Sequence, residues 1–227
     1  MTDQETALIV GAGSGLSASL ARLCHAEGMR VAVAARNIAK LAPLIDETGA
    51  RAYACDATEP AEVASLFEAV CGDLGSPDLV VYNASARQRG PIAELDPAAV
   101  ANAIKVSCFG GFLVGQAAAK VMLPRGGGSI LFTGASASVK GYANSASFAM
   151  GKFGLRGLAQ SMARELAPQS IHVAHFVIDG GIGESSPDNP DSRLHPEEIA
   201  RTYLAVHRQQ RSAWTWEVEL RPWVENF

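Results

Sequence analysis

The feature that most constrains this chain is a regular alternation between short apolar runs and longer amphipathic segments. Apolar runs of strand length, rich in β-branched residues, are typical of strands that are buried on both faces. The segments between them have the length and the apolar period of helices. A strand, a helix and a second strand in succession form a unit whose two strands run parallel. The alternation therefore predicts an α/β fold, a doubly wound parallel sheet with helices on both faces.

The same pattern sets the boundaries of the elements. We predict strands at 6–10, 30–35, 51–55, 78–82, 128–133 and 171–178, and helices at 15–28, 37–47, 60–72, 98–123 and 147–167. Pro124 and Pro168 end the last two helices, because proline has no backbone N–H for a helical hydrogen bond. The sequence contains no internal repeat and no second compositional block. Residues 1–227 are therefore predicted to form a single domain.

The chain beyond residue 178 differs in composition. Residues 180–189 are polar and rich in Gly, Ser and Pro, and Pro196 opens a further short helix with acids in its first turn. We predict a lid and substrate region at about 179–206, of which 180–189 is mobile. The C-terminal tail alternates in polarity and is predicted to form an edge strand at about 214–221.

Composition limits the classes of partner. The net charge is −4 and no run of basic residues is present, so neither nucleic acid nor a membrane surface is an expected partner. The first ten residues carry acids instead of lysines, and Gly11 interrupts their apolar run, so we predict neither an export signal nor a spanning helix. The four cysteines form no CxxC pair, which favours reduced thiols, no metal site and a cytoplasmic location.

A glycine cluster lies between the first predicted strand and the first predicted helix. It comprises Gly11, Gly13 and Gly15, with Ser14 inside the cluster and Leu16 at the start of the helix. Glycines at such a junction let the backbone approach a pyrophosphate, and the helix N-terminus supplies free N–H groups and positive potential. The strand–turn–helix context favours a nucleotide site over an ordinary turn.

With these residues in place, the chain resembles the short-chain dehydrogenase/reductase family over about residues 5–180. Gly11 and Gly15 match the family's glycine turn, while Ser17 replaces its last glycine. Asp56 matches the acid that hydrogen-bonds adenine, and Asn83 matches the asparagine that follows the fourth strand. The resemblance implies a single-domain Rossmann-like fold and a nicotinamide dinucleotide cofactor. A helix cap for Asp56 and a turn for Asn83 are the alternatives that need no ligand.

The end of the second strand bears on the choice of cofactor. An acid there accepts hydrogen bonds from a ribose 2′-hydroxyl, whereas an arginine pairs with a 2′-phosphate. This chain has Ala35 in the acid's position, followed by Arg36. NADP(H) is therefore favoured, with NAD(H) as the alternative. A solvated surface charge is the other interpretation of Arg36, and Ser14 stands where many NADP-using relatives carry a second basic residue.

The resemblance also places the catalytic residues, and here the chain departs from the family. The family pairs a tyrosine with a lysine four residues later on one helix face, and the lysine lowers the pKa of the tyrosine. In this chain Lys152 is retained and Phe148 stands at the tyrosine position. Ala135 replaces the family's substrate-orienting serine, and Ser107 replaces the asparagine of its proton relay. The chain thus resembles a divergent subgroup, with phenylalanine for tyrosine and the lysine kept.

A phenyl ring transfers no proton, so another group must supply one if the site catalyses hydride transfer. Tyr142, in a loop expected at the substrate cavity, and Asp179, just after the sixth strand, are the two replacement acids we consider. A wall-lining aromatic and a turn residue are their respective alternatives. His195, in the predicted lid, is more typical of a helix start than of a proton shuttle.

Three functions follow from the sequence. The first is an NADP(H)-dependent oxidoreductase that acts on a small carbonyl or alcohol compound of unknown identity with a non-standard site. The second is a redox-inactive nucleotide-binding protein for sensing or assembly, and the third is a non-redox lyase or isomerase. Relatives pair through the long helices, here at 98–123 and 147–167, so a homodimer or homotetramer is expected. The first function is preferred as the broad class, although similarity of fold does not choose among the three, because function resides in the site.

Overall fold

Seven parallel strands form one sheet in the computed structural model, which describes residues 4–225. They are β1 Thr6–Val10, β2 Arg30–Ala35, β3 Arg51–Ala54, β4 Leu79–Tyr82, β5 Gly128–Thr133, β6 Ile171–Ile178 and β7 Glu217–Leu220. Their order is β3-β2-β1-β4-β5-β6-β7, so the direction of winding reverses between β1 and β4. The doubly wound sheet predicted from the sequence is confirmed. Ligands of such sheets bind at the carboxyl ends of the strands beside this reversal.

Helices cover both faces of the sheet. They are α1 Leu16–Ala26, α2 Ala42–Thr48, α3 Pro60–Leu74, α4 Pro97–Ile104, α5 Gly110–Met122, α6 Ala146–Leu166 and α7 Pro196–His207. Alternate residues of β1 serve the two faces, since Ile9 packs with α1, α2 and α7 while Leu8 packs with α3, α5 and α6. The sheet is therefore buried between two apolar layers, which explains the nearly continuous apolar strands.

The single helix predicted at 98–123 is in fact interrupted. A π-helical turn, Lys105–Phe109, separates α4 from α5. The buried phenol of Tyr82 donates a hydrogen bond to the Val106 carbonyl, which the altered helical bonding leaves free. Gly110 makes room for that phenol, because a Cβ at this position would lie 2.4 Å from the Tyr82 hydroxyl oxygen. Helix periodicity does not predict this interruption, and the residue that contacts it, Tyr82, lies on a strand.

The stretch Pro97–Arg125 is long and apolar enough to cross a membrane when judged by length and composition, with a mean hydropathy of 1.5 over its most apolar window. Core helices of water-soluble proteins meet the same criterion. In this structure Val114 and Ala118 of the stretch are buried in the layer that α5 forms with the sheet. Packing on the strands thus accounts for part of its hydropathy, while Phe109 and Phe112 are exposed.

The region predicted as a lid, about 179–206, has two parts. Its second part is helix α7, in which Ile199 is buried and the ring of Tyr203 stacks on Phe176 with centroids 3.6 Å apart. This part belongs to the core and does not cover the site. The first part is irregular backbone, bridged where Ile182 pairs with Leu194. The tail predicted as an edge strand contains β7, which pairs in parallel with β6.

Candidate active site

The glycine turn after β1 depends on Gly11. Its φ of +87° lies in the region that side chains avoid, and an added Cβ would lie 2.4 Å from the Ala84 backbone nitrogen. The N–H groups of Gly11 and Ala12 both donate to the Ala34 carbonyl at 2.9 Å, which fixes the turn against β2. Helix α1 begins at Leu16 with no side-chain cap, so its first N–H groups are free for a ligand.

Ser17, which replaces the family's last glycine, joins the turn to β4. Its hydroxyl donates to the Gly11 carbonyl at 3.1 Å and accepts a hydrogen bond from the Asn83 amide at 2.7 Å. The Asn83 backbone N–H in turn donates to the Val10 carbonyl at 2.8 Å. The substitution therefore does not open the turn. It replaces close packing with a hydrogen-bonded link between two strands.

A cavity of about 380 Å³ extends from this turn along the ends of β2 and β3. Arg36, Asp56 and Asn83 line it, as the sequence predicts. Gly13, Gly15 and Leu16 border a smaller recess that also includes Gly11. Ser14 is exposed and lies among the lining residues of neither.

Asp56 forms a turn just before α3, whose N-cap is Glu59. One carboxylate oxygen accepts from the Thr58 N–H at 2.9 Å and from its hydroxyl at 2.8 Å, which forms a turn. The backbone hydrogen bond from Thr58 is the main cause that holds the pKa of Asp56 below its ordinary value. The same carboxylate lines the cavity, so the turn orients it toward a ligand.

The sequence analysis missed Lys40, a second cation at the end of β2. Asn37 caps the short 3₁₀ helix Ile38–Leu41 by accepting from the Ala39 N–H at 3.1 Å. Lys40 then lines the same cavity as Arg36. Among residues 4–225, neither cation has an ion-pair partner within 4.0 Å. The signal available in the sequence was the asparagine cap directly after Arg36, which places the next turn of chain over the strand end.

A second cavity, of about 790 Å³, opens at the ends of β4, β5 and β6 and shares Asn83 and Ser85 with the first. Lys152 lies in its floor, where its Nζ donates to the Thr133 carbonyl at 2.6 Å. Burial of the ammonium, followed by the positive charge of Arg87, lowers the pKa of Lys152 to about 7. The two cavities are therefore neighbours, with the glycine turn in the lining of one and Lys152 in the lining of the other.

The positions around Lys152 that carry hydroxyl groups in the family are apolar here. Ala135, Ala137 and Phe148 form a small buried cluster. The Lys152 Nζ lies 5.7 Å from the centroid of the Phe148 ring, as expected for residues four apart on one helix. Ser138, a neighbour of Ala135, is fully buried and accepts from the Ala135 N–H. Its hydroxyl is therefore turned away from the cavity and does not replace the missing serine.

The two replacement acids chosen from the sequence both line the larger cavity. Tyr142 is 46% exposed, and the Lys140 ammonium lies 5.7 Å from its ring centroid. Asp179 is 5% exposed, and its carboxylate lies 3.6 Å from the same ammonium. His195 is not in this cavity and lies 3.8 Å from Glu184 at the start of α7. Tyr142 and Asp179 are thus linked through one lysine on one wall.

Ser107, at the position of the family's relay asparagine, has a different task. Its hydroxyl accepts from the Ala86 N–H at 3.0 Å and donates to the Ala86 carbonyl at 3.1 Å. It is fully buried. Both of its hydrogen-bonding roles are occupied by the backbone, so this residue holds a loop and does not carry protons.

The sequence analysis also missed Arg87 and Arg89, which line the larger cavity. The guanidinium carbon of Arg87 lies 3.9 Å above the centroid of the Phe148 ring. A stacked guanidinium therefore covers the ring that replaces the tyrosine. Two arginines that follow a retained asparagine at alternate positions were the available signal. Among the described residues, no group of three or more His, Cys, Asp or Glu side chains is arranged to bind a metal ion.

The geometry agrees with comparisons to known proteins. The model of the short chain dehydrogenase family matches residues 5–183. D-threitol dehydrogenase of Mycolicibacterium smegmatis is 30% identical over 217 residues, which cover 87% of this chain and 84% of that protein.

Solved structures show the same fold. A short-chain dehydrogenase from Rhodopseudomonas palustris has 37% identity and a TM-score of 0.85, with 96% of this chain and 99% of that chain covered. A metagenomic short-chain oxidoreductase in complex with NADP has 27% identity and a TM-score of 0.85, with 96% and 97% covered. The glycine turn, the retained asparagine and lysine, the sheet order and these matches together show that the chain belongs to the short-chain dehydrogenase family.

Proposed function

We propose that this protein is an NADP(H)-dependent oxidoreductase that interconverts a carbonyl compound and an alcohol in the larger cavity. The observation that carries the proposal is that the two cavities are adjacent and share Asn83 and Ser85 in their linings, with the glycine turn in one and the Lys152 ammonium in the other. A retained cradle joined to a pocket of substrate size supports turnover better than storage of a nucleotide.

The preference for NADP(H) rests on the end of β2. Arg36 and Lys40 line the adenosine side of the cavity, and Ala35 leaves no carboxylate there to bind a 2′-hydroxyl. Two cations without ion-pair partners among residues 4–225 suit a dianionic 2′-phosphate. The similar metagenomic oxidoreductase in complex with NADP agrees with this choice.

The bound nicotinamide would supply the hydride, and the protein would supply the proton. We assign the proton to Lys152 Nζ, because its pKa of about 7 allows both the ammonium and the amine at neutral pH. The Thr133 carbonyl holds one N–H and so orients the amine. In the direction of reduction the ammonium donates to the forming alkoxide; in the direction of oxidation the amine accepts from the alcohol. Tyr142 and Asp179 are the alternative donors.

One observation favours the second function, a redox-inactive nucleotide-binding protein. The cluster of Ala135, Ala137 and Phe148 removes the two hydroxyl groups that would contact a reacting oxygen in the resembled family. A site that only senses a nucleotide needs neither of them. This candidate keeps the cofactor cavity and predicts no dependence of any rate on Lys152.

Two measurements separate these functions. Calorimetric titration with NADPH, NADP, NADH and NAD is expected to show tight binding that requires the 2′-phosphate. Single-turnover oxidation of bound NADPH is then followed against pH with a panel of carbonyl compounds, in the wild type and in Lys152→Met at saturating cofactor. The reduction rate should fall as the pH rises through about 7 in the wild type and should lose that dependence in the variant. Binding without any turnover across the panel would establish the second function.

Assembly and location are also proposed. Large apolar side chains are exposed on the outer surfaces of the π turn, α5 and α6, namely Phe109, Phe112, Met150 and Phe153. Phe109 and Phe112 stack on each other with centroids 6.0 Å apart. We propose that a second copy covers this surface in a homodimer or homotetramer, and light scattering of Phe153→Glu against the wild type tests it. With four free thiols and no basic surface patch in the sequence, we place the protein in the cytoplasm, without nucleic-acid or membrane partners.

A further inference from the structure

The wall of the larger cavity between β4 and α4 is built from alternating residues. Asn83, Ser85, Arg87 and Arg89 line the cavity, whereas the residues between them do not. Successive side chains of an extended segment project to opposite sides. The two arginines therefore face the same space as the retained asparagine.

Two buried serines fix the alternate positions. The Ser107 hydroxyl bonds both the N–H and the carbonyl of Ala86, at 3.0 and 3.1 Å. The Ser147 hydroxyl bonds both groups of Gln88 in the same way, at 3.0 and 2.8 Å. Since the backbone of these even-numbered residues is held against the helices, the odd-numbered side chains are directed into the cavity. Ser107 is the residue that replaces the family's relay asparagine, so that substitution helps to build the arginine wall.

Arg87 and Arg89 are positioned for a ligand and have no protein partner of opposite charge. Neither forms an ion pair within 4.0 Å among residues 4–225. One face of the Arg87 guanidinium lies on Phe148, which leaves its in-plane N–H groups free. Burial and then the charge of Arg89 lower the pKa of Arg87, and Arg87 lowers that of Lys152, so the three cations repel one another. An anion in the cavity would relieve this repulsion.

The acids that line the cavity do not neutralise the arginines. Asp179 is paired with Lys140 at 3.6 Å. Glu225 also lines the cavity, with one carboxylate oxygen 3.7 Å from where a Cβ added to Gly180 would lie, and it forms no ion pair with Arg87 or Arg89 within 4.0 Å. Ala135 and Phe148 replace two of the family's hydroxyl groups, and a guanidinium lies over the ring instead. Hydroxyl groups remain in the lining at Ser136, Ser145 and Tyr142, so the feature that distinguishes this cavity is its two arginines without acidic partners, which suit an oxyanion.

We propose that the substrate carries an oxyanion group, a carboxylate or a phosphate ester, and that Arg87, assisted by Arg89, binds that group against the ring of Phe148. This proposal rests on the proposed function and names its class of substrate: a hydroxy or oxo compound that is also an organic anion. Arginine matches both groups through paired parallel hydrogen bonds, and a stacked guanidinium is already oriented for them. Phe148 is then a platform for the arginine and does not stand in for a proton donor.

The test measures binding separately from turnover. The probes are cyclohexanecarboxylate, cyclohexyl phosphate and neutral cyclohexanecarboxamide, titrated by calorimetry into the protein with and without saturating NADP. One or both anions are expected to bind, and the amide at least about 10-fold more weakly. The carboxylate and phosphate arms identify which oxyanion the wall prefers. Raising the salt concentration should weaken anion binding and leave the amide unchanged.

Three variants assign the effect to the wall. Arg87→Met keeps the length of a side chain over Phe148 and should weaken anion binding about 10- to 100-fold. Arg87→Lys keeps the positive charge and should weaken anion binding less. Arg164→Met is the matched control, because Arg164 is exposed on α6 and bonds only the Gln160 carbonyl. NADPH affinity should be equal in all four proteins. This equality excludes a general loss of structure.

The outcomes separate the two proposals. Equal binding of the anions and the amide, no anion binding at all, or anion binding that survives in Arg87→Met overturns the arginine site and leaves the oxidoreductase proposal standing. Anion binding that depends on Arg87 in a protein that fails to bind NADPH overturns the proposed function and leaves the anion site standing. Turnover of hydroxy or oxo acids but not of D-threitol, lost in Arg87→Met, reduced less in Arg87→Lys and unchanged in Arg164→Met, supports both.

Discussion

The two halves of the site are built in different ways. The proposed cofactor half, at the ends of β1 to β3, is lined by the Gly11 turn together with Arg36 and Asp56. The proposed reaction half, at the ends of β4 to β6, is lined by the side chains of Arg87, Phe148 and Lys152. The first half retains the family's pattern apart from Ser17, which keeps the turn closed, and Ser85, which stands where the family has a glycine after Asn83. The second has lost three of the four catalytic residue types that the resemblance implies.

This difference follows from what each half must recognise. Backbone N–H groups and a helix N-terminus bind phosphates whatever side chains surround them, so the cofactor half depends on conformation. A reacting carbonyl group requires side chains of particular chemistry at particular places. Substitutions in the reaction half therefore change function without changing the fold. The predictions that follow probe each half in turn, from the largest expected effect to the smallest.

Restoring the family's residue tests the reaction half most directly. Phe148→Tyr places a hydroxyl on the ring beside Lys152 and should raise the rate of reduction of neutral ketones by about 10²- to 10⁴-fold, the usual contribution of a positioned general acid. NADPH oxidation measures it, with Phe148→Leu as the control that adds no hydroxyl. No gain in rate would mean that the stacked Arg87, rather than the missing hydroxyl, excludes neutral substrates.

Adding one methyl group tests the cofactor half. Gly11→Ala should lower the free energy of unfolding by about 3 kcal/mol or more and abolish NADPH binding, because alanine disfavours a φ of +87° and its Cβ would meet Ala84 at 2.4 Å. Chemical denaturation and calorimetry measure the two effects. Gly13→Ala is the control for stability, since a Cβ there meets no atom within 4 Å. Equal stability of both variants would contradict the role assigned to the turn.

The free energy of unfolding should depend on pH through the buried His175. Glu217 accepts two hydrogen bonds from Arg156 of α6 and lies 3.0 Å from the buried His175, whose pKa is lowered to about 4, chiefly by burial. The unfolded histidine titrates near 6.5, so between these values the unfolded state binds more protons and stability falls as the pH falls. The expected loss between pH 6.5 and 4 is about 3 kcal/mol.

Comparison with His175→Asn isolates this contribution from those of other groups. The free energy of unfolding, measured by urea titration at several pH values, should depend less steeply on pH in the variant. A slope that is identical in the two proteins would mean that other groups govern acid stability.

The charge at the end of β2 tests the choice of cofactor. Arg36→Ala should weaken NADPH binding by about 10- to 100-fold and leave NADH binding unchanged, because only the 2′-phosphate loses a charge-assisted contact. Lys40→Ala should have a smaller effect in the same direction. Fluorescence titration with both nucleotides measures the ratio. Equal losses for NADPH and NADH would contradict a 2′-phosphate contact.

The smallest effect concerns the link between the halves. Ser17→Ala removes the hydroxyl that bonds Gly11 and Asn83, and should cost about 1 kcal/mol of stability and raise the dissociation constant for NADPH a few-fold. Ser17→Gly, which restores the family's residue, should recover cofactor binding but not stability. If both variants match the wild type, the hydrogen-bonded link has no energetic role.

The fold was largely predictable because it depends on repeated patterns. Strand boundaries agree with the prediction to within one residue for β1 to β6, since buried parallel strands read as continuous apolar runs. The interruption of the helix at Lys105–Phe109 was not predictable, because it depends on Tyr82 from a distant strand. The same reason explains why α7 was predicted as part of a lid. Its apolar face packs on α1, and local composition does not show that contact.

The candidate site was predictable only where chemistry is local in the sequence. Gly11, Arg36 and Asp56 follow strands directly, and the structure brings them to one cavity as predicted. Lys40 and Arg87 were missed because their orientation depends on a cap and on two serines from other elements. Ser107 was read as a lost catalytic residue, whereas the structure shows it holding the segment that carries Arg87.

The sequence by itself determined the parallel sheet, the glycine turn and the absence of a tyrosine four residues before Lys152. These properties depend on local periodicity, on backbone freedom and on residue identity. Only the tertiary structure decided that an arginine covers Phe148, that burial lowers the pKa of Lys152 to about 7, and that two cavities share Asn83 in their linings. Burial, stacking and charge repulsion depend on distances between segments far apart in the chain, and those distances exist only once the sheet has brought the strand ends together.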